Sequence, residues 1–109
     1  MRRDDSIYVL HAIEAAEKAI LFIEEEERTS LDKDEKLALA LIRLLEVIGE
    51  AVTSISESTK NKYPEIPWRK MVAMRNRLIH GYFDVNYDIV WDTIKNDLPD
   101  VILLLKDIV

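Results

Sequence analysis

The residues best equipped for chemistry stand together in one run, Arg75-Asn76-Arg77-Leu78-Ile79-His80-Gly81-Tyr82. An imidazole, with a reference pKa of about 6.5, takes or gives a proton near neutrality. A guanidinium stays charged and presents a planar fork that fits two phosphate oxygens. Together these groups suit cleavage of a phosphodiester by a neighbouring 2′-hydroxyl. That reaction needs a base for the hydroxyl proton, an acid for the leaving oxygen and a cation for the phosphorane. His80 can act as acid or base, Arg75 can clamp the phosphate, and the Asn76 amide can orient either of them or cap the helix. The chemistry requires no metal, and a chain with two histidines and no cysteine offers no convincing ligand set for one. No cofactor is expected.

The spacing sets a condition. Five residues at about 100° each place Arg75 and His80 about 140° apart on an unbroken helix. They converge within one chain if the helix ends or distorts before His80, as Gly81 permits. One histidine also cannot serve as base and acid in the same instant. A two-fold dimer would bring two copies of each group to one cleft. By itself such a pair is not distinctive, because helix ends carry Arg and His for capping and salt bridging.

Charge narrows the partners. A net charge of −6 over 109 residues argues against a protein that coats nucleic acid indiscriminately. The charge is uneven, however. Residues 1–59 hold seven basic and fourteen acidic side chains, whereas residues 60–109 hold eight and seven. Within 60–80, Lys60, Lys62, Arg69, Lys70, Arg75 and Arg77 face Glu65 alone. Such a strip can hold a phosphate chain locally, with Arg69, Lys70 and Arg77 as the candidate RNA contacts; ordinary solvated surface is the alternative. Without cysteine there are no disulfides and no thiolate catalysis. No apolar run approaches the roughly 18 residues needed to span a bilayer, and Met1-Arg2-Arg3-Asp4-Asp5 does not open a leader. A cytoplasmic protein with no membrane partner is expected. His11 reads as structural or surface, and Trp68 and Trp91 as packing.

The elements that must position the motif follow from periodicity. The chain is expected to fold as one all-α domain over 1–109, an antiparallel bundle of four or five helices. Asp4 or Asp5 is expected to cap a first helix carrying Ile7, Leu10, Ile13, Ala16, Ile20 and Ile23, which ends near Glu24-Glu25-Glu26-Glu27. Asp32 or Asp34 opens a second, with Leu37, Leu41, Leu44, Ile48, Val52 and Ile55 as its stripe. Gly49 inside it costs about 1 kcal/mol against Ala, which a close helix–helix approach would justify. Residues 56–61 read as a polar exit. Pro67 suits the first position of a third helix with Trp68, Met71, Val72, Met74 and Leu78, ended by Gly81. Asn86 or Asp88 caps a fourth, and Pro99 demands a kink or restart after Leu98.

Several separated blocks carry a resemblance. They are Leu45 to Ala51, Tyr63-Pro64-Glu65-Ile66-Pro67-Trp68-Arg69, Met74 to Tyr82, Val90-Trp91-Asp92-Thr93-Ile94 and Asn96-Asp97-Leu98-Pro99. In this order they resemble the HepT-like branch of the HEPN superfamily, strongly over the C-terminal half and in general pattern over the first helix. The family's Arg-four-residues-His motif falls on Arg75 and His80, its polar residue on Asn76 and its tyrosine on Tyr82. The resemblance implies a helical homodimer with a metal-independent endoribonuclease cleft. It also implies a toxin neutralised by a partner nucleotidyltransferase of the MntA type, which transfers AMP to Tyr82. An added phosphodiester of about −1 charge beside Arg75 and His80 would compete with substrate phosphate. Two other readings stay open: a non-catalytic nucleotide-binding module working with the nucleotidyltransferase, and a dimeric scaffold whose motif braces its interface.

Overall fold

A computed structural model describes residues 3–81 and 85–109, and among them every regular element is helical. The long rods are α1 (Arg3–Ile23), α3 (Glu35–Thr53), α5 (Trp68–His80) and a final rod of α6 (Tyr87–Asp92), a π-helical segment (Thr93–Asp97) and α7 (Leu98–Lys106). Short helices α2 (Ser30–Lys33) and α4 (Glu57–Lys62) fill two of the connections. This is the helical bundle expected, with α3 packed between α1 and α5 and α7 lying against α1.

Local chemistry explains most boundaries. The Asp34 carboxylate accepts from the Leu37 N–H and starts α3, and Asn86 accepts from the N–H groups of Asp88 and Ile89 to start α6. Pro67 is one place earlier than expected, preceding the first helical residue Trp68. The polar exit at 56–61 is instead α4, because Ser56 Oγ accepts from the Thr59 N–H and caps a turn. The expectation for Pro99 takes a specific form. Proline has no N–H to give the carbonyl four residues back, and the π segment ends just before α7, in which Pro99 holds the second position.

Two expectations for α1 are corrected. Its buried face is Val9, Ala12, Ala16 and Ala19 with Ile13 and Ile23, while Ile7 and Leu10 are half exposed. The helix carries apolar residues on more than one side, so periodicity alone did not fix the buried face; packing against α3 and α7 did. Asp5 lies within the helix, not at its cap. Its carboxylate is 2% exposed and accepts from the Ser56 N–H (3.0 Å), Ser56 Oγ (2.6 Å) and Thr59 Oγ1 (2.6 Å). A buried carboxylate is tolerated when donors surround it; here they join α1 to α4.

The stripe on α3 is as expected, with Leu41, Ile48 and Val52 buried and Leu37 and Leu44 partly so. Trp68, Met71 and Leu78 of α5, Val90 and Ile94 of the last rod, and Val101 and Leu105 of α7 complete the core. Arg28, in the α1–α2 connection, pairs with Asp32 and Asp88 and lies over the Tyr87 ring. The hydrogen bond to Asp88, helped by Asp32, raises its pKa above the ordinary guanidinium range. This fixes the start of α6, beyond residues 82–84.

Candidate functional site around Arg75

The motif rides on α5. The helix is unbroken from Trp68 to His80, and Gly81 caps it with its N–H on the Arg77 carbonyl at 2.8 Å. The condition for convergence within one chain, an end or distortion before His80, is not met: the helix stops at His80 itself, where Gly81 was expected to end it. Within one chain Arg75 and His80 keep the divergence of about 140° set by helical geometry. The reason lies in Gly81, which keeps a negative φ of −107°. It ends the helix after the histidine without turning it back. A Cβ there would stand 2.8 Å from the Arg77 carbonyl oxygen, so glycine is needed for space, not for a left-handed turn.

Arg75 is seated where α5 crosses α3. A Cβ on Gly49 would lie 2.1 Å from Arg75 Cβ, 2.8 Å from Arg75 Cγ and 3.1 Å from the Met71 carbonyl oxygen. The buried Gly49 is thus the notch that receives the arginine stem, the close approach its sequence position suggested. Nη1 of Arg75 donates to Asn76 Oδ1. Nε is buried and has no acceptor among the described residues, nor does any of their carboxylates form an ion pair with this guanidinium. This contact is the one through which Asn76 could orient Arg75, one of the roles open to it in the sequence.

His80 is exposed at the helix end, beside Ile79, which is itself 36% exposed. Basic Arg77 and His80 in the last turn complement the helix macrodipole. Arg77 is exposed and edges a small hollow with Val85 and Asn86. Tyr82, the expected modification site, lies outside the described residues.

The structure separates Arg69 from Lys70. Arg69 shares a polar cavity with Asn76, whereas Lys70 lines a different, apolar groove and pairs with Asp97 at 3.5 Å. Sequence reasoning missed the cavity because α4, which walls it, was not foreseen. The capping pattern Ser56-Glu57-Ser58-Thr59 was its available signal. His11 is a surface residue edge-on to Tyr8, with ring centroids 6.3 Å apart. Trp68 is packed in the core and Trp91 against it.

A half-buried arginine with a neighbouring amide, and a histidine at the end of the same helix, define a helical-bundle protein with an Arg-Asn-His motif on α5. Residues 12–108 match the family model described as Ribonuclease HepT-like, and the chain belongs to that HEPN family. Among similar proteins is the probable ribonuclease HepT of Thermococcus cleftensis, 41% identical over 93% of this chain and 92% of its own length. Another is the putative RNase MJ0127 of Methanocaldococcus jannaschii, 48% identical over 71% of this chain, a match that spans 64% of that relative. A putative RNase of Caldanaerobacter subterraneus is 36% identical over 93% of this chain and 90% of its own. No solved structure matches the chain.

Proposed function

We propose that this protein is a metal-independent endoribonuclease, acting in the cytoplasm as the toxin of a toxin–antitoxin pair. The carrying observation is the seating of Arg75. Helix α3 is notched at Gly49 to hold the stem of a cation on α5 whose guanidinium bonds only Asn76 among the described residues. A partly exposed guanidinium that no described carboxylate neutralises keeps its planar fork free for phosphate oxygens. The family match spans the motif, and the relatives' names supply the substrate class. Imidazole and guanidinium do the chemical work in this proposal.

The unbroken α5 supports a homodimeric cleft, since one chain sends Arg75 and His80 to different flanks. Exposed Ile79 beside the motif, with Ile7, Leu10 and Leu103 elsewhere, leaves apolar surface that a second copy can cover. In the cleft, one His80 takes the 2′-hydroxyl proton and the alkoxide attacks phosphorus. The second His80 protonates the departing 5′-oxygen, leaving a 2′,3′-cyclic phosphate and a 5′-hydroxyl. Arg75, oriented by Asn76, binds the phosphorane oxygens, and exposed Arg77 touches the adjoining RNA. Regulation falls on Tyr82, two residues past His80, where a nucleotidyltransferase partner adds AMP and blocks the phosphate site by charge and bulk.

The test is cleavage of a mixed RNA pool in chelator by wild type and His80→Ala together. Removing a general acid–base group costs about 10²–10⁴-fold, and that loss is expected. Full cleavage by His80→Ala refutes the mechanism. If folded, unmodified wild type cuts nothing while binding nucleotide, the nucleotide-binding reading replaces it.

A further inference from the structure

The end of α3, α4 and α5 line an open recess of about 670 Å³, within the size range of small-ligand sites. Its lining includes Glu57, Lys60, Asn61, Trp68, Arg69 and Asn76. Arg69 and Asn76 are seven residues apart, two helical turns, and so share one face of α5 about 10 Å apart. Asn76 is also the group that bonds Arg75, so the cavity adjoins the catalytic arginine.

The walls are fixed. Trp68 Nε1 donates to the carbonyls of Lys60 (3.2 Å) and Tyr63 (3.1 Å), which fastens the end of α4 to the start of α5. Thr59 in the same short helix is held by Asp5. The Lys60 side chain is only 14% exposed, and its ammonium stands 3.8 Å from the exposed Glu57 carboxylate, beyond hydrogen-bond length. Arg69 has no ion-pair partner among the described residues. Two cations against one exposed carboxylate leave the cavity positive in a chain whose net charge is −6. The amides of Asn61 and Asn76 both donate and accept, which suits sugar hydroxyls and base edges.

We infer that this cavity holds the nucleotide next to the scissile phosphate of single-stranded RNA, with Lys60 and Arg69 on its phosphate. The inference rests on the ribonuclease reading and extends it to a second binding position. A recess of this kind takes a splayed nucleotide, whereas a stacked duplex does not enter it. Charge and amide donors together favour a nucleotide over an apolar ligand.

Binding decides it separately from catalysis. A fluorescent single-stranded 12-mer with 2′-O-methyl groups throughout cannot be cleaved by 2′-hydroxyl attack. Its Kd is measured by anisotropy across a salt series for wild type, Lys60→Met, Arg69→Gln and, as a charge control, Lys33→Gln on the remote α2. Lys60→Met and Arg69→Gln should each weaken binding about tenfold, the loss of one charged hydrogen bond. Each should reduce the salt slope by about 0.7, one single-strand phosphate contact. Lys33→Gln should change neither, and the duplex of the same sequence should bind weakly and be indifferent to all three. Wild-type affinity and slope in both cavity variants overturn the inference, as does wild type that fails to bind the 12-mer. Arg69 is exposed, so its variant decides the matter even if Lys60→Met unfolds. If wild type cuts RNA while the cavity variants bind normally, the cavity assignment falls and the ribonuclease stands. If binding drops as expected and wild type cuts nothing, the ribonuclease reading falls and takes the scissile-phosphate assignment with it, leaving the cavity as a single-strand binding site only.

Discussion

Replacing Gly49 by alanine should leave a folded protein with a misplaced arginine. The added Cβ would stand 2.1 Å from Arg75 Cβ and 2.8 Å from Cγ, where carbon contacts settle at about 3.5–4.0 Å. The arginine stem must therefore retreat by about 1.5 Å. It cannot do so alone, because its Cβ is fixed to α5 and the Met71 carbonyl is also close at 3.1 Å; the helices must separate. Overpacking of this kind costs about 1–3 kcal/mol, offset by about 1 kcal/mol of helix preference for alanine over glycine. The net loss is about 0–2 kcal/mol, which leaves a domain of ordinary stability folded. A misplacement of about 1 Å at a reacting group costs on the order of 10²-fold in rate. RNA cleavage by Gly49→Ala should fall about that far, with urea unfolding showing a retained cooperative transition. A Gly49→Ala protein that cleaves like wild type, or gains the full 1 kcal/mol of helix preference, would refute the reasoning.

Asp5→Ala leaves Ser56 and Thr59 without their buried acceptor. It should cost about 1–3 kcal/mol in urea unfolding, and an unchanged midpoint would count against the α1–α4 link. Gly81→Ala meets a backbone carbonyl at 2.8 Å and should lower Tm by about 4 °C or more, read by circular dichroism. Lys70→Gln removes an exposed pair with Asp97 and should change stability by less than about 1 kcal/mol. Its effect on affinity for single-stranded RNA should be smaller than that of Arg69→Gln. Equal effects would mean that both flanks of α5 meet the strand.

Much of the fold was legible because helices announce themselves locally. The α3 stripe, the caps at Asp34 and Asn86, the stop at Gly81 and the disturbance before Pro99 depend on residues within a few places of each other. So did the motif, since Arg75, Asn76 and His80 lie on one short run whose chemistry can be read from residue types. The face of α1 was not legible, because its apolar residues surround more than one side and packing against α3 selects among them. The same holds for α4. Its cap was visible, but a six-residue helix stands only with the tertiary bonds from Asp5 and Trp68.

What the sequence by itself determined is therefore the set of helices and the identity of the reactive groups, both fixed by short-range backbone and side-chain chemistry. The tertiary structure decided which groups meet. It set Gly49 against Arg75 across 26 residues of chain, turned Arg69 and Lys70 into different recesses, and left His80 at the end of an unbroken helix. Those outcomes depend on how rods cross in space, and the crossing is selected by side-chain volume and close packing summed over the whole core.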